Sequence, residues 1–303
     1  MADNPSVNEF TITELSIPAP TRHNRVRQVW RAFVASKAGP VGLALLIVIA
    51  LAAIFAPVIA PDGPFKLGGP RLAPIGTEGY PLGTDHLGRS ILAQLVYGAR
   101  VSLAIGLVAA AISMVVGVII GSLAGFYGGW VDIVLSRLTD MFLIIPAFFL
   151  IIVIVATVGS GIFYVMIVIG LTSWPTSARL MRAQALSLRE RTFVQGLTAL
   201  GESKPKILFR HVVPNGIQPL IANASLDVAG AILIEAGLSF IGLGDPNKAT
   251  WGRMIFEGRT SITTAWWVSV LPGIAIIITV LGFYLVGDGI SYVLSPRSRK
   301  VKA

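Results

Sequence analysis

Four carboxylates, Asp140, Asp227, Glu235 and Asp288, stand in or beside long apolar stretches of this chain. An ionisable group in hydrocarbon is costly, so it usually faces a bundle interior or a water-filled path. Asp227 and Glu235 are eight residues apart, near one face of a helix. Two roles suit them and Asp140: a polar lining for a translocation path, or buried hydrogen bonds that fix helix packing. Asp288 lies near the end of its stretch and reads as interfacial. No other grouping supports bond-making chemistry. Cysteine is absent, which excludes thiol catalysis, disulfides and Cys-ligated metal. His23, His86 and His211 fall in separate segments, two on one side of the expected membrane and one on the other, so they cannot share a metal. There is no His-Glu-x-x-His pair and no Gly-x-Ser-x-Gly elbow. No lysine follows a glycine, so the phosphate-binding loop is missing too. The chain is therefore not expected to be an enzyme, to bind a metal or to hydrolyse ATP. Transport, if it occurs, is passive or driven by a partner.

The elements that must hold these groups are read from hydropathy. Of 303 residues, 54% are hydrophobic and 13% charged, with a mean hydropathy of +0.77. Soluble chains carry roughly 25% charged residues, so this is an integral membrane protein of the all-α class. A bilayer core of ~30 Å needs ~20 apolar residues in a helix. Residues 41–60 and 101–131 supply one uncharged span each. Residues 141–178 are too long for one and are broken by Gly159-Ser160-Gly161, which predicts a hairpin whose first helix starts near Asp132 and includes Asp140. Residues 212–243 and 260–287 complete six spans, with no internal repeat.

Lys and Arg in the loops set the orientation. An inside N-terminus places basic residues inside over outside at roughly three to one, including Arg179, Arg182, Arg189, Arg191, Lys204, Lys206 and Arg210. The net charge of +9 is thus mainly a topology signal, and nucleic acid is not expected as a partner. The first ~25 residues, polar and with Pro5, Pro18 and Pro20, read as disordered. The first apolar run begins only at Val41, so it reads as a retained anchor rather than a cleaved leader. Gly117, Gly121 and Gly125 form a small-residue stripe that lets helix backbones approach, within the chain or against a second membrane subunit.

Between two apolar spans lies a charged loop, RERTFVQGLTALGESKPKILFRHVVPN, starting at Arg189. Phe193, Leu197 and Leu200 recur at helical spacing. Gly201 sits where a helix stops in the left-handed conformation. Ser203 is placed to cap a second helix, with Pro205 in its first turn. The result is a helix–turn–helix knob, either an amphipathic piece lying on lipid or one that inserts into a soluble partner. The loop from Asp62 to Gly98, with Asp85, His86 and Arg89, and the segment around Trp251, Arg253 and Glu257 fall on the opposite side. They are expected to receive an outer partner or brace a gate, or to make turns and salt bridges within the loop. Asp85 before Leu87-Gly88 is a natural turn former.

These residues carry a family resemblance. The knob resembles the cytoplasmic loop of ABC-type importer permeases, with Gly201 and Pro214 in the positions of its glycine and closing proline. Gln195, Gly196 and Leu197 stand where Glu-Ala-Ala is usual, and His211 and Val213 stand for Ile and Leu. PLGTDHLGRSILAQLVYGARVSL from Pro81, EAGLSFIGLGDPNKATWGRMIFEGR from Glu235 and LPGIAIIITVLGFYLVGDGISYVLSPR from Leu271 resemble further segments of the dipeptide and oligopeptide branch. The likeness covers roughly residues 37–297 and points to the second, C-type permease subunit.

The resemblance implies a type I ABC importer permease fold. Residues 1–37 would be a cytoplasmic, partly disordered tail, and 38–60 a peripheral first helix. Residues 61–98 would be an extracytoplasmic loop. A five-helix core would fill 99–292, with its coupling loop at about 189–214, and 293–303 would be a basic tail. It implies a homologous second permease, one or two cytoplasmic ATPases holding ATP and Mg, an extracytoplasmic peptide-binding protein, and no cofactor on this chain. Phe193, Gln195, Leu197, Leu200, Gly201 and Glu202 would dock the ATPase. Asp140, Asp227 and Glu235 would line the path, and Asp85, Arg89, Trp251 and Arg253 would meet the outer partner. The setting would be a bacterial or archaeal plasma membrane with both termini cytoplasmic. Nickel, glutathione or a haem-like ligand is the alternative cargo. An ATP-independent channel or carrier is the alternative class.

Overall fold

The computed structural model describes residues 22–294, so the expectations for residues 1–21 and for the basic tail from 295 lie outside the described residues. Thirteen α-helices run from α1 (Arg22–Ala35), α2 (Ala38–Ile54) and α3 (Ala56–Ile59) to a long α4 (Ile91–Tyr127). Next come α5 (Gly129–Ile144), α6 (Ala147–Val158), α7 (Ile162–Arg189), α8 (Thr192–Ala199), α9 (Lys204–Ile207) and α10 (Val213–Gly216). The last three are α11 (Gln218–Phe240), α12 (Trp251–Gly258) and α13 (Trp267–Leu294). No strand occurs among the described residues.

Helix α4 is the axle of the fold. Its 37 residues span ~55 Å at 1.5 Å per residue. Hydropathy alone starts it at Val101, but the helix begins ten residues earlier. Ser90 caps it by accepting from the Ala93 N–H at 3.3 Å, and Ile91, Ala93, Gln94 and Val96 are buried. Its glycine stripe packs within the chain against α7. A Cβ on Gly117 would come within 2.6 Å of the Ser177 Cβ, one on Gly125 within 2.5 Å of the Arg182 carbonyl oxygen, and one on Gly121 would collide with the Ala178 carbonyl. The backbones therefore approach closely at all three positions.

The hairpin between α6 and α7 breaks at Gly159–Gly161 as the sequence predicts, with Gly159 at φ 116°. A second break was not read from the sequence. Pro146 follows Ile145, and α5 and α6 meet at 83°. Proline disfavours helical geometry in the preceding residue, and Ile145 is accordingly extended. On the other flank, α13 packs on α2, α11 and α12. Gly42 and Gly282 face one another across α2 and α13. Among the described residues, three helices (α4, α11 and α13) are long and apolar enough to cross a membrane, or five spans if the bent pairs α1–α2 and α5–α6 each count as one. Helix α7, the remaining expected span, carries Arg179, Arg182 and Arg189 and falls outside that set. Residues 22–35, read from the sequence as tail, form the helix α1.

Candidate functional site

At the C-terminal end of α4, α8 and α9 build the knob. Val194 is the buried residue of α8. It joins Ile207, Leu208, Val212, Phe126 and Ala185 in a small core, with Leu197, Leu188 and Val213 packed against it. The glycine stop forms as expected. Gly201 has φ 79°, its N–H reaches the Thr198 carbonyl at 3.0 Å, and the Glu202 N–H reaches that of Leu197 at 3.1 Å. This paired closure is the Schellman motif. The Ser203 hydroxyl, by contrast, makes no capping bond to α9. Glu202 instead pairs with Lys206 at 2.6 Å, with His211 at 4.0 Å. The bonded Lys206 ammonium holds the Glu202 carboxyl below its ordinary value of 4.5.

Leu197 does not share an outward face with Phe193 and Leu200, as the helical spacing suggested. It turns toward Val194, while Phe193 and Leu200 remain exposed, Leu200 by 85%. Gly196 is exposed beside them, with open space where a Cβ would stand. Gln195 lies on the rim of a cleft of about 520 Å³ between the knob and the end of α4, with Tyr127, Arg189, Thr198 and Lys204.

At the opposite end of α4, a buried ionic clasp ties the long loop to α12. Asp85 accepts from the Leu87 and Arg89 N–H groups at 2.8 and 2.9 Å. Its other oxygen accepts from Arg89 Nε at 2.6 Å and Gln94 Nε2 at 2.8 Å. Arg89 also pairs with Glu257, which takes Arg253 Nε at 2.8 Å. Arg253 continues to the Asp245 carbonyl at 3.3 Å, and the Asp245 carboxylate accepts from the Ile162 N–H that opens α7, at 3.0 Å. Trp251 donates its indole N–H to the Leu95 carbonyl at 3.0 Å. Asp85, Arg89 and Trp251 are thus buried. Of the readings open for these residues, their burial favours turns and salt bridges within the molecule, where their polar atoms are engaged. Arg253, the fourth residue expected to meet the outer partner, keeps partial exposure.

The candidate path carboxylates separate. Asp140 pairs with Arg179 at 2.7 Å, half exposed. Two turns earlier on α5, Asp132 receives both Arg182 Nε (2.6 Å) and Nη2 (2.7 Å). Asp140, Arg179, Arg182, Ser136 and Thr139 border a cavity of about 420 Å³ between α4, α5 and α7. Asp227 accepts from Ser177 at 3.2 Å and Asn223 at 3.1 Å. Glu235 is buried, bonded through one oxygen to Ser239 at 2.7 Å, and adjoins only a cavity of about 10 Å³. Asp227 thus meets α7 through Ser177, whereas Glu235 is bonded within α11. Glu235 is therefore enclosed in this conformation, and Asp140 borders a cavity lined by polar side chains.

Residues 117–300 match the family of binding-protein-dependent transport system inner membrane components, a range that holds α7, the knob and α12. The chain belongs to that family. Residues 24–74 match the N-terminal membrane domain of oligopeptide transport permease C. The chain is 37% identical to the di/tripeptide transport system permease protein DppC of Pseudomonas aeruginosa, over 93% of this chain and 95% of that one. It is 35% identical to the dipeptide permease DppC of Alkalihalophilus pseudofirmus over 90% of each chain. Identity to the glutathione permease GsiD of Pectobacterium atrosepticum is also 35%, over 89% of this chain and 91% of that one.

In this permease the sequence signalled the knob and the turn at Asp85. It did not signal the Asp132–Arg182 bidentate pair or the capping role of Asp245. Arg179 and Arg182 read as topology charges, although their spacing of three residues on a helix puts them on one face.

Proposed function

We propose that this chain is the permease subunit of an ATP-driven, binding-protein-dependent importer of di- and oligopeptides. It forms half of a translocation path beside a homologous second permease. The observation that carries this reading is the knob: an exposed Phe193–Gly196–Leu200 patch on a base closed by Val194, Ile207 and Leu208. An apolar patch held on so firm a base suits insertion into a groove of a partner. One or two cytoplasmic ATPases, carrying ATP and Mg, bind there, with Gln195, Gly201 and Glu202 shaping the contact. ATP must then favour one of two membrane-domain states over the other.

The permease crosses the plasma membrane of a bacterium or archaeon six times, by α2, α4, α5–α6, α7, α11 and α13. Both termini and the knob face the cytoplasm, as the loop arginines and lysines argue. The clasp lies at the outer end, where it braces α12 and the start of α7 beneath a peptide-binding protein. Asp140 and Arg179 border the path. Glutathione is the alternative cargo, supported by the similarity to a glutathione permease. The test is uptake of labelled dipeptide into proteoliposomes holding both permeases, the ATPases and the binding protein. Uptake that needs ATP and the binding protein supports the reading. Uptake by this chain alone without ATP refutes it.

A further inference from the structure

Helix α1 meets α2 at 96°. If α2 crosses the bilayer, α1 lies in the plane of its surface. The corner is fixed by local bonds. The Ser36 hydroxyl donates to the Phe33 carbonyl at 2.6 Å and accepts from the Gly39 N–H at 3.1 Å, and Lys37 takes φ 59°. Phe33 is buried against Gly39 and Gly289, which anchors α1 to α13.

The rest of α1 is laid out for an interface. Val29, Trp30 and Val34 are exposed and fall on one arc of the helix with Phe33. Trp30 stacks on Phe33 at 5.8 Å. Arg27 and Arg31, one turn apart, flank that arc and are exposed, as is Lys37. Neither arginine makes an ion pair among the described residues, and the sequence has no acidic residue from Arg22 to Pro61. An apolar arc edged by unneutralised arginines suits a leaflet of anionic phospholipid: the arc enters the acyl boundary and the guanidinium groups take phosphate. Free phosphate would leave the arc unexplained.

We propose that α1 is a surface-lying helix that gathers anionic phospholipid around the cytoplasmic corner of α2 and α13. This rests on the reading of α2 as a span. The test uses the full-length chain with its permease partner in nanodiscs of phosphatidylglycerol and phosphatidylcholine at fixed proportion, with bromine on one lipid or the other. The quenching lost in Trp30→Phe isolates the Trp30 contribution. It should be roughly twofold stronger with bromine on phosphatidylglycerol. Arg27→Gln with Arg31→Gln should abolish that preference while leaving quenching in place. Equal quenching by both lipids, or none attributable to Trp30, overturns the proposal. So does quenching that disappears when the ATPase subunits are added, which would make α1 a protein contact. Failure of the importer reading would show separately, as absent uptake with the quenching intact.

Discussion

Removing the Arg89 guanidinium would leave Asp85, 1% exposed, and Glu257 without their shared counter-charge. Breaking a buried pair by deleting one partner typically costs about 3–5 kcal/mol. Arg89→Ala should therefore lower stability in detergent by that order, while Lys66→Ala, whose pair with Asp62 is more than half exposed, should change it by about 0–1 kcal/mol. Thermal unfolding of the two variants checks the contrast. Glu202 gives a pH dependence. Its folded carboxyl is held below the ordinary 4.5, so its ionised form favours the folded knob above that pH. The contribution is lost as pH falls through the lower folded value. Protection of the Glu202–Val212 amides from hydrogen exchange, corrected for intrinsic rates, should be flat from neutrality to about pH 5 and fall below 4.5. In Glu202→Gln that fall should vanish. At this scale the sequence exposed short-range chemistry only. The Asp85 turn closes over two residues and was visible, but its link through Arg89 to Glu257 crosses 168 positions and depends on how α12 returns to α4.

The helices themselves were mostly legible, because glycine position and apolar length are local signals. The stripe at Gly117, Gly121 and Gly125 announced a close helix contact, and α7 supplies it. Gly121→Val should force α4 and α7 apart and cost about 1–3 kcal/mol or more as overpacking, measurable as reduced folded yield and a lower unfolding midpoint. Gly196→Ala should do the opposite. The site is helical and open, so α8 should gain about 1 kcal/mol, seen as slower exchange of its amides. Hydropathy missed two boundaries for physical reasons. Helix α4 runs through Arg100, which stays exposed while its neighbours bury, so a charge that ends an apolar window does not end the helix. Pro146 interrupts an unbroken apolar run, and the average cannot see the bend. The spacing of Phe193, Leu197 and Leu200 was also an incomplete guide, since Val194 draws Leu197 toward the small core and divides the stripe.

Across the whole molecule, α4 joins two ends of different character: a closed ionic clasp around Arg89 and a knob with exposed apolar tips. The rigid α4–α7 contact between them suits transmission of movement, because packed interfaces shift as units rather than deforming gradually. How this chain is driven depends on partners, and partner contacts leave only indirect traces in one sequence. On the proposed function, force enters through the exposed tips of the knob, Phe193 in α8 and Leu200 just after it. The direct measurement is ATP-dependent peptide uptake by the reconstituted complex carrying Phe193→Asp and Leu200→Asp, with the inward-packed Leu197 untouched. The variant should fold and assemble its permease pair but lose uptake at least tenfold, about the loss expected when an exposed anchor at an interface centre is charged. Uptake at the unsubstituted rate would contradict that entry point.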